Sequence, residues 1–316
     1  MQAAILQRPR LFTLEDRPRP EVGYDEVLVQ TKASGICTSE LDIWEGKAIG
    51  LEFPRFIGHE PAGIVAAVGS RVTSIAVGDH VAAWSEGKSY AEYFVSKESY
   101  LYKLKKETPF ECALGEPIAC SVNGVRKANP QLHDSVCIVG CGFMGLIMLQ
   151  VFKISGAGLL IAVDTRETIL QLARELGATH TLNPKSADIV SAVKELTNGR
   201  GVDIGVEGAG SQQTLDLVTN LVRMEGKLEV FGFHQGEART VNWGYWNWMA
   251  FQIINGHTRS ASVYVEGMRL GLQLVEAGKL DMKSLITHRF VLRQINTAFE
   301  IATAKKEGFV KAVITF

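Results

Sequence analysis

Two short stretches of this 316-residue chain place metal-binding side chains close together. "GICTSELD" sets Cys37 just after an apolar run, and "FIGHEPAG" sets His59 and Glu60 side by side between glycines. A soft thiolate, an imidazole and a carboxylate suit Zn²⁺, and three protein ligands leave a position open for water or substrate. Adjacent side chains on extended backbone point to opposite faces. His59 and Glu60 can therefore face one ion only where the chain turns, and Gly58 and Pro61 give it the means. The alternative is a half-buried cysteine and a hydrogen-bonded histidine with no metal.

A third stretch, "VCIVGCGFMG", spells G-x-G-x-x-G at Gly140, Gly142 and Gly145, after an apolar strand and at the start of an apolar helix. In that context the first glycine permits a tight turn and the second lets backbone approach a pyrophosphate. The third lets the helix sit against the strand. The next strand, "LLIAVD", ends in Asp164, where a carboxylate can accept hydrogen bonds from an adenosine ribose; the alternative for Asp164 is a helix N-cap. A carboxylate there repels a 2′-phosphate, so NAD is expected, with NADP as second choice because Arg166 follows two positions later. "EGAG" (Glu207 to Gly210, including Gly208) and "GFHQG" fall at the ends of later strands, where the nicotinamide half is expected; His234 lies in the second of these.

These residues need two different scaffolds. From Met1 to about Val122, short apolar runs separated by Gly, Pro, Ser and Asp predict a mostly antiparallel β domain. From about Asp134, buried strands alternate with amphipathic helices, which predicts an α/β doubly wound parallel sheet. After about Leu285 the strand–helix–strand tail carries no further nucleotide-type turn and is expected to return to the first domain. The expected division is 1–122 with 285–316, and 123–284. "MAFQIINGH" reads as a buried strand late in the nucleotide domain, where an exposed edge would invite association into a homodimer or homotetramer. "WGYWNW" reads as core or subunit interface before it reads as pocket wall.

Composition sets the outer limits. With 33 basic and 34 acidic residues and no long run of one sign, neither nucleic acid nor an anionic membrane is an expected partner. The most apolar region is broken by Lys153 and glycines, so no membrane span is read, and the opening residues show no export leader. Five cysteines without the pairing of a disulfide scaffold point to a reducing, cytoplasmic setting.

"GICTSELDIWEG", "GHEPAGIVAAVGSRVTSIAVGDHV", "EPIACSVNGV", the glycine turn and "ITHRFVLRQINTAFE" together resemble the medium-chain, zinc-dependent alcohol dehydrogenase family along nearly the whole chain. The resemblance implies a GroES-like β-rich catalytic domain formed by both chain ends and a Rossmann domain between them. It also implies hydride exchange between an alcohol or ketone substrate and a nicotinamide. By this resemblance Cys37 and His59 are zinc ligands, Glu60 binds zinc or exchanges with water, and Glu116 in "GEPIAC", chosen over the nearby Cys112 and Cys120, is the further zinc ligand that marks the sorbitol dehydrogenase branch. That branch inclines the substrate toward a secondary alcohol of a polyol, sugar or cyclitol.

Ser39 matches the residue that takes the substrate proton. Two relay positions depart from the pattern: Asp42 stands where a histidine is usual, and Glu40 where an aspartate usually supports a ligand histidine. No cysteine-rich lobe for a second zinc is present, so one zinc per chain is expected. The rival readings are a zinc-free, NADPH-dependent quinone reductase-like enzyme and a dinucleotide-binding structural or regulatory protein without catalysis.

Overall fold

The computed structural model describes every residue except 48, 49 and 86. It divides into two units, Met1–Ala119 with Arg259–Phe316, and Cys120–Thr258.

The first unit opens with an antiparallel pair, β1 (Gln2–Arg8) and β2 (Leu11–Asp16). β3 (Glu26–Gly35) leads into the short helix α1 (Thr38–Trp44), followed by β4 (Pro61–Val68), β5 (His80–Ala83), β6 (Tyr93–Lys97) and β7 (Leu101–Lys103). β3 lies inside this sheet, since β4 and β6 both pair with it antiparallel. Its alternate valines Val27 and Val29 pack against Val65, Val81 and Phe94, as the period-2 pattern requires. β3 ends just before Cys37 and β4 begins just after Glu60, so the two candidate metal-binding stretches sit at adjacent strand ends.

α2 (Gly115–Ala128) carries the chain into the second unit. There β8 (Ser135–Val139), α3 (Phe143–Ile154), β9 (Leu159–Val163), α4 (Glu167–Leu176), β10 (His180–Leu182), α5 (Ile189–Leu196), β11 (Val202–Glu207), α6 (Gln212–Thr219), β12 (Val222–Val230), α7 (Trp243–Trp248) and β13 (Gln252–Asn255) follow in turn. The strands form one parallel sheet in the order β10-β9-β8-β11-β12-β13. Strand order reverses between β8 and β11, and the glycine turn follows β8 at that crevice, the usual place for a dinucleotide in such sheets.

β13 corrects one expectation. It is the edge of the sheet, with Gln252, Ile253 and Asn255 exposed rather than buried, because nothing among the described residues pairs with its outer side. The tryptophan cluster of α7 divides in the same way, Trp246 lying in the core while Trp243 and Trp248 are exposed.

After the sheet come α8 (Ala261–Glu276), β14 (Ile286–Val291), α9 (Ile295–Ala304) and β15 (Lys311–Thr315). β15 pairs antiparallel with β3 of the first unit. The changeover falls at Arg259, earlier than the position 285 read from the sequence. α8 looks like one more helix of the alternation, yet its Glu276 accepts hydrogen bonds from Tyr102 Oη (3.0 Å) and Lys105 N (2.8 Å) of the first unit. No helix among the described residues is long and apolar enough to cross a membrane.

Candidate metal centre and dinucleotide turn

Cys37 directly precedes α1, and the "GHE" stretch directly precedes β4. Gly58 takes φ +112°, a left-handed conformation open to glycine, and a Cβ there would lie 2.6 to 2.9 Å from Ser89 and Tyr90 atoms. That turn brings both His59 and Glu60 to one place. Potential ligand atoms of Cys37, His59 and Glu60 lie within 4.8 Å of one another, the one such group found among the described residues. Gly35 is equally constrained, since a Cβ there would fall 1.9 Å from Glu60 Oε2.

Electrostatics organise the cluster. His59 Nδ1 lies 2.8 Å from Glu40 Oε1, which leaves Nε2 as the nitrogen available to a metal. Burial works against charge on His59, but Glu40 and Cys37 outweigh it and raise the imidazole well above its ordinary pKa. Glu40 is also buried, and its partners His59, Tyr90 and the Cys37 N–H overcome that burial and hold it low.

Glu60 is paired with Lys311, whose Nζ lies 2.8 and 2.7 Å from the two carboxylate oxygens and also donates to Ile36 O at 2.8 Å. Burial pushes Glu60 up, Lys311 and His59 oppose it, and the charge of Glu116 reinforces it. Glu116, in the first turn of α2, acts on Glu60 in this way without joining the group of converging donors. Ser39 Oγ donates to Cys37 Sγ at 3.3 Å. Asp42 sits one turn further along α1, half-buried. The donor chemistry fits zinc: one thiol, one imidazole already fixed through its other nitrogen, and carboxylates at the same edge.

Sequence reasoning passed over Lys311 and Tyr90. The signal for Lys311 was legible, a cation inside the otherwise apolar strand "KAVIT". Nothing local marked Tyr90.

At the glycine turn the three glycines have separable reasons. Gly140 takes φ +96°, and a Cβ there would come within 2.8 Å of Ala209. A Cβ on Gly145 would come 2.5 Å from Gly140 O, which is the close helix–strand approach. Gly142, at the N-cap of α3 with φ −63°, meets nothing nearer than Arg166 Nη2 at 4.0 Å. No protein atom requires glycine there; the bare backbone faces open space beside the first N–H groups of α3, a seat for an anion. Gly208 has an internal reason of its own, since a Cβ would lie 2.8 Å from Gly140 O.

Asp164 directly follows β9 and is not the cap of α4, a role taken by Arg166. Its carboxylate instead accepts from Arg166 N and Nε at 3.1 Å and from Nη2 at 3.3 Å. His234 is likewise committed within the protein. Its Nε2 lies 2.7 Å from Glu207 Oε2, and its Nδ1 accepts from Arg239 Nε at 3.2 Å.

Comparison with known proteins agrees with both halves. Residues 23–106 match the alcohol dehydrogenase GroES-like domain, and residues 144–273 match the zinc-binding dehydrogenase family. The chain is 30% identical to sorbitol dehydrogenase of Bacillus subtilis over 99% of its length and 97% of that protein. It is 31% identical to D-xylulose reductase A of Aspergillus niger, over 96% of this chain and 93% of the relative. A crystal structure of an Escherichia coli oxidoreductase/dehydrogenase of unknown specificity superposes with a TM-score of 0.90 at 30% identity, covering 99% of this chain and 98% of that one. With glycine turn, converging thiol, imidazole and carboxylate, and end-to-end similarity in agreement, the chain belongs to the zinc-dependent medium-chain alcohol dehydrogenase family, in its sorbitol dehydrogenase-like part.

Proposed function

We propose that this oxidoreductase exchanges hydride between a secondary alcohol of polyol type and NAD, with one zinc ion held by Cys37, His59 and a carboxylate from Glu60 or Glu116. The observation that carries the reading is the convergence of thiol, imidazole and carboxylate within 4.8 Å, with the second imidazole nitrogen already taken by Glu40. The polyol class rests on similarity to sorbitol dehydrogenase and D-xylulose reductase and on the glutamate at position 116.

Zinc supplies a Lewis acid for the alcohol oxygen, and NAD supplies the hydride acceptor. The chain's own residues do the rest. Ser39 takes the hydroxyl proton of the substrate, and Glu40 keeps His59 oriented. The backbone at Gly142 and the start of α3 receive the pyrophosphate. Asp164 accepts from the ribose hydroxyls and disfavours the extra phosphate of NADP, with Arg166 as its counterweight. The exposed edge β13 is the surface through which a homodimer or homotetramer forms, and five cysteines outside any disulfide suit a reducing cytoplasm.

Metal analysis of purified protein, paired with a polyol panel assayed against NAD and NADP, tests the reading. The expected result is about one zinc per chain and turnover of secondary polyol hydroxyls with NAD. An active preparation free of zinc overturns the metal assignment, and activity confined to primary alcohols overturns the substrate class. Stronger binding of NADP makes Arg166 the dominant residue.

A further inference from the structure

Tyr90 belongs to none of the steps above, yet its hydroxyl is aimed into the metal centre. The residue is completely buried, with its ring held edge-on by Phe12 and Phe299. Its hydroxyl donates to Glu40 Oε2, which also accepts the Cys37 N–H at 3.2 Å, while Glu40 Oε1 faces His59 Nδ1 at 2.8 Å. One carboxylate thus joins the backbone of one candidate ligand to the imidazole of another, and a phenol anchors it from behind. We propose that Tyr90 is a positioning residue of the metal centre: by donating to Glu40 it fixes the carboxylate that orients His59 and Cys37.

Glutamate at position 40 makes such an anchor necessary. It has one more rotatable bond than aspartate, and freezing that extra bond costs rotamer entropy. A hydrogen bond from a neutral donor to a buried carboxylate offsets that cost. Gly35 O lies 2.9 Å from the same hydroxyl, but a phenol has a single proton and the charged carboxylate is the stronger acceptor. Burial and the nearby Glu40 charge push Tyr90 well above the usual phenol range, so the group stays a donor.

The inference rests on the zinc reading, and the test separates the two. Zinc affinity is measured by competition with a chelator for the unmodified protein, Tyr90→Phe, Glu40→Gln and the double variant. Phenylalanine keeps the ring packing, so a purely structural tyrosine predicts unchanged affinity. The expected loss for Tyr90→Phe is about tenfold, with little further loss when it is added to Glu40→Gln, because its effect passes through that carboxylate. Unchanged affinity in Tyr90→Phe, or losses that simply multiply in the double variant, overturns the proposal.

Glu40→Asp gives a second approach. A shorter carboxylate cannot span both partners, so Tyr90→Phe on that background is expected to be silent. In the metal-free protein, the downfield Nδ1 proton of His59 in NMR is expected to shift or broaden in Tyr90→Phe. If the unmodified protein takes up no zinc, the metal reading falls, and that resonance still decides the positioning: no change in it overturns the role of Tyr90.

Discussion

Around Cys37 and His59 the first unit crowds ionisable side chains together; around Gly140, Gly142 and Gly145 the second unit takes side chains away. In the first, each buried carboxylate is held by partners: Glu40 by His59 and Tyr90, Glu60 by Lys311. In the second, two glycines make room for the protein's own backbone and one leaves room for something else. The difference teaches that a metal centre is specified by which atoms are present and a nucleotide turn by which are absent. The two therefore fail differently under mutation.

The largest expected effect comes from deleting an atom of the crowded site. Cys37→Ala is expected to abolish zinc uptake and turnover while leaving NAD affinity intact, measured by metal analysis, steady-state assay and cofactor titration. Weakened NAD binding in that variant would break the proposed separation. Next comes the proton relay, where Ser39→Ala is expected to slow hydride transfer by about a hundredfold or more, and Asp42→Ala to change it modestly. The pH dependence of the two rates compares them, and a larger defect for Asp42 means that the proton leaves by another route.

Buried carboxylates sharpen the contrast further. Glu229, on β12 in the second unit, is completely buried and has no hydrogen-bond partner for either oxygen among the described residues. Burial, only partly opposed by Lys127, pushes it from its ordinary 4.5 to about 8. The folded state therefore holds this proton more tightly than the unfolded chain does. The associated stability is complete below about pH 4.5 and is lost as pH rises through about 8, at about 1.4 kcal/mol per unit in between. From pH 6 to 8 the loss is expected to be on the order of 2 kcal/mol. In Glu229→Leu that slope should vanish, and urea melts at the two pH values read it directly.

The smallest effects separate the glycines. Gly145→Ala places a Cβ 2.5 Å from Gly140 O and is expected to cost about 2 kcal/mol of stability. Gly142→Ala meets no protein atom within contact distance, so stability should stay within about 0.5 kcal/mol while NAD binds about tenfold more weakly, a loss of about 1.4 kcal/mol. Thermal melts and cofactor titration distinguish the two. Unchanged NAD affinity in Gly142→Ala removes the pyrophosphate from that seat.

Much of this protein was legible in its sequence because much of it is local. The strand–glycine–helix spacing at Gly140 to Gly145, the acidic end of "LLIAVD" and the turn offered by Gly58 and Pro61 are carried by residues a few positions apart, and the short-range sterics of the backbone decide them. The expected ligand types at Cys37, His59 and Glu60 followed from chemistry alone, and the structure brings all three together. The edge position of β13 was not legible, because an apolar run looks the same whether its outer side is covered by another strand or by nothing.

What only the tertiary structure decided are the partners of the buried charges. Lys311 reaches Glu60 across 251 residues and Tyr90 reaches Glu40 across 50. Both meetings depend on long-range pairings, β15 with β3 and the bridge of Ala91 to Ala3. Such contacts leave almost no trace in local pattern. A lysine in an apolar strand announces only that some charge must await it, because an unpaired ammonium is too costly to bury, and the pairing of β15 with β3 determines which charge that is.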